Sequence, residues 1–228
     1  MYKLMKFFKK NNFFSIKLFV TILFSLFIFS SLTKAEDRWF YQLGYSYVNG
    51  KSQSRFTNSQ PFAEIIQGYR ADFGFGLTSE INKIKVDYIL SYSPDAFNNR
   101  VDTNDSCPNA VFECRVNIKD SIDLGVKIYL PVEQSNITPA VYLGLSNADI
   151  QLKTLKPAGS QMIHQRNWGA TAGASLNYPL KEFNVDISLD YSWTAYERNT
   201  GETTTYEGDH AKARPEIHST SLKVKKYF

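Results

Sequence analysis

Three sets of residues in this 228-residue sequence could do chemistry. The largest is charged: Glu64, Asp72, Asp87, Asp123, Asp186 and Asp190 with Arg70, Lys85, Lys119, Lys127, Lys223 and Lys225. These twelve fall at alternating positions among glycines, serines and threonines, so a sheet would gather them on one face. Unpaired buried charge is expensive, so an enclosed face of this kind must pair internally, as a plug of salt bridges or as the constriction of a narrow pore. In the pore reading, exchanging Arg70 for serine raises conductance.

The second set is Cys107 and Cys114. An even pair in an exported chain reads as a disulfide, and the two are too close and isolated for a structural zinc site. The bridge would contribute roughly 2.5 kcal/mol by restricting the unfolded chain, and would stiffen or protect an exposed loop. The third is His218 with Thr220, two positions apart. Nucleophilic catalysis needs a base within hydrogen-bond reach of a hydroxyl and a third group to orient it, and no acid follows before Phe228. His164 and His210 lie in separate polar segments without ligand-spaced partners. No enzyme activity, catalytic residue, cofactor site or metal site is expected.

The elements that carry these residues are strands. From residue 184 to 195, Val185, Ile187, Leu189, Tyr191, Trp193 and Ala195 alternate with Asp186, Ser188, Asp190, Ser192 and Thr194. A strand with one apolar and one polar face follows, of a length that crosses a bilayer when tilted. The same pattern recurs from Trp39 to about residue 48, then over 64–77, 84–92, 118–130, 140–146, 168–178 and 217–228. Long polar segments, 49–60, 93–115, 147–167 and 196–216, alternate with the short turns 78–83, 131–136 and 179–183. Long and short connections in alternation are the pattern of surface loops and periplasmic turns in transmembrane barrels. The expected fold is therefore all-β: an eight-stranded antiparallel transmembrane β-barrel over residues 36–228.

Residues 1–35 read as a signal peptide, with a lysine-rich start, an apolar run from Leu18 to Phe29 and small or polar residues ending at Ala35. The run is short of the ~20 residues a membrane-spanning helix needs. Six lysines and no acid lie there; the remaining balance is 20 basic to 22 acidic residues, which removes any basic character pointing to nucleic acid.

Alternation alone also fits a soluble barrel, apolar within. The glycines argue otherwise: Gly44, Gly68, Gly74, Gly76, Gly125, Gly144, Gly169 and Gly173 fall on the polar face, and a narrow interior is where side chains must be thinned. Aromatics toward the strand ends, among them Trp39, Tyr47, Trp168, Tyr178 and Trp193, suit the two membrane interfaces.

With these features and a terminal Phe228 in view, the chain resembles the small eight-stranded outer-membrane proteins, the group of OmpX, the opacity proteins and the OmpA transmembrane domain. The resemblance implies residence in the bacterial outer membrane, contact with its lipid and lipopolysaccharide, and recognition of the strand ending at Phe228 by the barrel-assembly machinery. Lys226 stands where that family usually has an aromatic. It also implies a charged gate as the pore alternative. The outward His218 and Thr220 resemble the lipid-facing His-x-Ser pair of the lipid A deacylase PagL, with threonine in the second place. The function expected first is structural and surface-directed, four extracellular loops contacting host, cell-surface or phage ligands. A narrow porin-like channel for small solutes is second and a lipid A-modifying enzyme third.

Overall fold

The computed structural model describes residues 37–56, 62–94, 100–102, 113–132, 135–156, 159–197 and 211–228, with backbone alone at several outer strand ends. The signal peptide and Cys107 lie outside the described residues, as does the side chain of Cys114.

Among the described residues nine strands form one sheet: β1 (Arg38–Phe56), β2 (Phe62–Ile81), β3 (Ile84–Ser93), β4 (Arg100–Asp102), β5 (Glu113–Tyr129), β6 (Thr138–Lys156), β7 (Gly159–Leu180), β8 (Val185–Tyr196) and β9 (Ala211–Tyr227). Eight of them pair antiparallel around a closed ring, β1 with β2 and with β9, while the three-residue β4 adds only to the outer part of β2. The fold is a closed eight-stranded barrel. Following paired residues once around it leads from Val48 through Ser219, Ser192, Gly173, Tyr142, Lys127, Asp87 and Thr78 to Arg38, ten residues along β1 from the start. A shear of that size in eight strands tilts them by about 40° and leaves an interior just wide enough for side chains.

Two of the short turns have a clear local cause. Asn82 and Lys83 both take positive φ, 52° and 68°, the backbone of a two-residue hairpin whose twist matches its strands. After Leu180 a single 3₁₀ turn, Lys181–Phe183, ends on Asn184 at φ 54°, and the Asn184 side chain donates to the Tyr227 carbonyl at 3.2 Å. The Lys226 ammonium donates to the Phe183 carbonyl of that turn. This gives the lysine in the last strand a structural task.

The outward face is apolar through the middle of the barrel. Leu43, Phe73, Leu90, Leu143, Leu176, Leu189 and Leu222 are exposed there, with rings above and below. Trp39 stacks on Phe75 at 5.1 Å at the turn end, and Tyr45 on Tyr69 at 5.6 Å at the other. The belt runs from Trp39 to Tyr47 on β1 and from Tyr178 to Trp168 on β7, roughly 20–25 Å of height at this tilt.

Beyond the belt, on the side away from the short turns, the structure departs from the expected loops. Segments 49–60 and 147–167 are largely strand: β1 runs on to Phe56, β6 to Lys156, and β7 begins at Gly159. Here the wall reverses its polarity. Asn49, Lys51, Gln67 and Arg166 are exposed outside, while Val48, Ile66, Ile118, Ala148, Ile150 and Ile217 are buried inside. Gly50 stands opposite both Ile66 and Ile217, and Ile118 opposite Ile150. A Cβ on Gly50 would lie 2.3 Å from the Glu216 carbonyl oxygen, so only glycine allows that approach. Ile118 reaches the interior because β5 shifts register between Ile118 and Ser121; it is 7% exposed where Ile122 is 44%. Unbroken alternation over 118–130 would put these two isoleucines on one outward face; the register shift separates them.

β3 and β8 stop short, at Ser93 and Tyr196, and stand on opposite sides of the ring with three strands between them each way. Among the described residues the outer rim therefore has two tall three-stranded walls, β9-β1-β2 and β5-β6-β7, separated by a notch above β8 and by one above β3 into which β4 folds against β2.

Candidate functional site

The interior is built in three tiers. Nearest the short turns, Phe40, Ile89 and Tyr227 form an apolar cluster, with the Phe40 and Tyr227 rings edge to face at 6.0 Å. Each sits in phase with the polar face, Phe40 with Gln42, Ile89 with Asp87, Tyr227 with Lys225, so strand alternation aims them inward. Around them lies a buried polar network. Asp87, 1% exposed, accepts from the Thr78 hydroxyl at 2.7 Å, the Tyr129 hydroxyl at 2.6 Å and the Lys225 ammonium at 2.8 Å. Asp186 takes Lys85 at 3.1 Å, Lys225 at 3.2 Å and the Tyr227 hydroxyl at 2.6 Å. Lys225 also lies over the faces of Phe40, Tyr129 and Tyr227, at 4.7 to 5.1 Å from their centroids. Six strands, β1, β2, β3, β5, β8 and β9, meet in this tier.

The Tyr129 hydroxyl is one of three donors to Asp87, which sets its worth. Tyr129→Phe should lower stability by about 1–2 kcal/mol in equilibrium refolding, since a charge-assisted bond is lost while Thr78 and Lys225 remain.

The middle tier holds two ion clusters. Asp190 pairs with Lys127 at 3.1 Å and Lys223 at 3.3 Å, and Lys127 also donates to Ser175 at 3.1 Å. Asp72 receives the hydroxyls of Ser46 and Ser93 and an ion contact from Arg70 Nε at 3.2 Å, too poorly aligned for a hydrogen bond. Arg70 Nη1 donates to Ser121 at 3.3 Å, and Ser121 donates to Asp123 at 3.2 Å. The Tyr142 ring lies across Gly125 and Gly144; a Cβ on Gly125 would meet its hydroxyl oxygen at 2.3 Å. Between the clusters a cavity of about 40 Å³ is lined by Arg70, Asp72, Asp123, Lys127, Asp190 and Lys223 among others. It has room for a few waters.

The third tier is the apolar set inside the extended walls, which lies at and just above the upper aromatic ring. Of the twelve charges singled out in sequence, ten come together in the two lower tiers. Lys119 falls in the irregular stretch of β5, and the Glu64 side chain lies outside the described residues. Tyr129, Tyr142, Tyr227 and the serines that complete the network were less legible, although their phase along each strand places them inside.

On the outer surface His218 is not joined to Thr220. Its Nδ1 lies 2.6 Å from the Tyr191 hydroxyl, the two rings stack at 6.0 Å, and Thr220 sits opposite Tyr191 across the β8–β9 ladder. On the other three-stranded wall Arg166 pairs with Asp120 and donates to Asn147 at 3.2 Å. No group of three His, Cys, Asp or Glu side chains suited to a metal occurs among the described residues.

No family model matches the sequence, and no curated protein matches it. Among solved structures, the chain is similar to Neisserial surface protein A at 14% identity, covering 83% of this chain and 97% of that one with a TM-score of 0.46. It is also similar to the outer-membrane protease OmpT of Escherichia coli, at 9% identity, 87% and 100% coverage and a TM-score of 0.47. A third likeness is to the outer-membrane protein OprG of Pseudomonas aeruginosa, at 13% identity, 84% and 96% coverage and a TM-score of 0.44.

Proposed function

We propose that this chain is an outer-membrane β-barrel, exported by the signal peptide of residues 1–35, that holds surface segments for contact with other molecules and catalyses no reaction. The observation that carries the reading is the filled interior beneath a raised rim. The Phe40–Ile89–Tyr227 cluster within the lowest tier and the apolar upper tier lie below and above the ion-paired middle, and the walls continue past the outward apolar belt with polar residues outside. Such a barrel has little to pass through its lumen and much to present above the lipid.

The rim also narrows where contact falls. Two of the four expected loops are mainly strand, so the longer connections are those after β3 and β8, which spring from the opposite notches. Loops on a rigid scaffold are where binding residues usually reside. The partner classes that suit this arrangement are host or cell-surface molecules, phage and lipopolysaccharide, with assembly through the strand ending at Phe228.

The test is electrical and then interfacial. Refolded protein in a planar bilayer should give no steady current steps, and replacing residues 197–210 by a short glycine-serine turn should abolish cell-surface adhesion while leaving the barrel folded. Reproducible unit conductance in the unaltered protein would overturn the reading. A narrow channel is the second reading, favoured by the cavity of about 40 Å³ among charged side chains; there Arg70→Ser should raise the current.

A further inference from the structure

The Tyr191–His218 pair lies outside the network that fills the barrel, and its position is informative. Both side chains point outward, and both sit at the upper ring, beside Trp193, which faces His218 across the ladder. The phenol hydrogen needs an acceptor near hydrocarbon, and His218 Nδ1 at 2.6 Å supplies one. With the phenol as donor, the neutral imidazole carries its hydrogen on Nε2, and in the imidazolium form Nε2 carries a hydrogen as well. In both forms an N–H donor faces away from the barrel.

Further donors continue upward from it. Asn49 stands opposite His218 on β1, and Lys51, one outward position higher, stands opposite Glu216. Asn49, Lys51 and His218 are all exposed, and below them Tyr47 and Thr220 mark the top of the apolar belt. A barrel wall that offers an imidazole N–H, an amide and an ammonium at the limit of its apolar belt matches a group that accepts several hydrogen bonds, carries negative charge and is tethered to acyl chains. Glu216 on the same face offsets part of the Lys51 charge, so the set suits one phosphate better than a polyanion.

We propose that His218, latched by Tyr191, together with Asn49 and Lys51, forms a subsite for the phosphate of an outer-leaflet lipid. The inference rests on the reading of the chain as an outer-membrane barrel and names one of its contacts. The Tyr191 hydroxyl acts by positioning the ring, and the acyl chains lie along the belt below.

The experiment uses refolded full-length protein in neutral maltoside micelles, with lipid retention read by native mass spectrometry. The probes are dioctanoyl phosphatidic acid and the matched dioctanoylglycerol, which lacks the phosphate. Unaltered protein should retain the phosphatidic acid about tenfold more tightly, the worth of one hydrogen bond to a charged acceptor. His218→Ala should remove that preference, His218→Gln should restore part of it through its side-chain N–H, and Tyr191→Phe should weaken it. Lys51→Ala should weaken it further at low salt. Equal retention of the two lipids by the unaltered protein, or a preference untouched by His218→Ala, overturns the proposal. Heat-modifiable mobility on gels of the same samples reports barrel insertion separately, so loss of the folded band would count against the outer-membrane reading and not against this site.

Discussion

Asp87→Ala should destabilise the folded barrel by about 3–5 kcal/mol, the cost of removing one member of a buried ion pair and leaving the other with only a shared counter-charge. Asp87 ties together Thr78 on β2, Tyr129 on β5 and Lys225 on β9, so its loss strips partners from three strands at once. Lys225 would keep Asp186 at 3.2 Å, but that carboxylate is already shared with Lys85 and Tyr227. The second arm of the test is the double variant Asp87→Ala/Lys225→Met. Lys225 is surrounded by the rings of Phe40, Tyr129 and Tyr227, and a methionine fits among rings without needing a counter-charge. The double variant should recover at least half of the loss in equilibrium refolding into lipid. A single variant as stable as the unaltered barrel would show that water reaches this tier and solvates the freed ammonium.

Ile150→Asp should cost a similar amount, about 3–5 kcal/mol, by placing an unpaired carboxylate in the apolar upper tier. Its neighbour supplies the contrast. Asp149 already holds a carboxylate on the opposite face of the same strand, and Asp149→Ala should change stability far less. Six residues further down the outward face, Leu143→Asp should again be costly, by about 2–4 kcal/mol, because there the outside is the apolar side. Within one strand, then, the face that rejects charge should exchange places between Leu143 and Ile150. Urea-induced unfolding in lipid vesicles measures all three, and a tolerated Ile150→Asp would mean that the upper tier is wet.

This reversal also explains what the sequence did and did not disclose. Eight strands were legible because alternation is strong wherever large apolar residues face out, as from Val185 to Ala195. Reading apolar as outward then failed above the belt. Ala148 and Ile150 still alternate with Asn147 and Asp149, but with the faces exchanged, so residues 147–156 looked like polar loop. The same exchange hid the upper part of β1, where Val48 turns inward beside Asn49. At Ile118 the cause was different, a register shift that no composition signals. Within the network, the charges were legible from their phase, whereas their pairing depends on which strands meet across the ring. Lys127 and Asp190, 63 positions apart, come together only once the shear is known. The Tyr191–His218 contact was hidden for a related reason, since it joins diagonal neighbours on adjacent strands and spacing along either strand gives no hint of it.

The exchanged polarity of the outer walls has a further consequence in time. A barrel that enters the bilayer with its long hairpins leading must carry Asn49, Lys51, Asp149 and Arg166 through hydrocarbon once. Each charged residue raises a barrier on the way, and each is hydrated again on the far side. The return journey meets the same barriers with the upper isoleucines already packed against one another. Under the outer-membrane reading proposed above, the walls would then act as a ratchet: whatever machinery drove the first passage, backsliding would be slow, and the protein would be held at its depth by kinetics as well as by affinity for lipid.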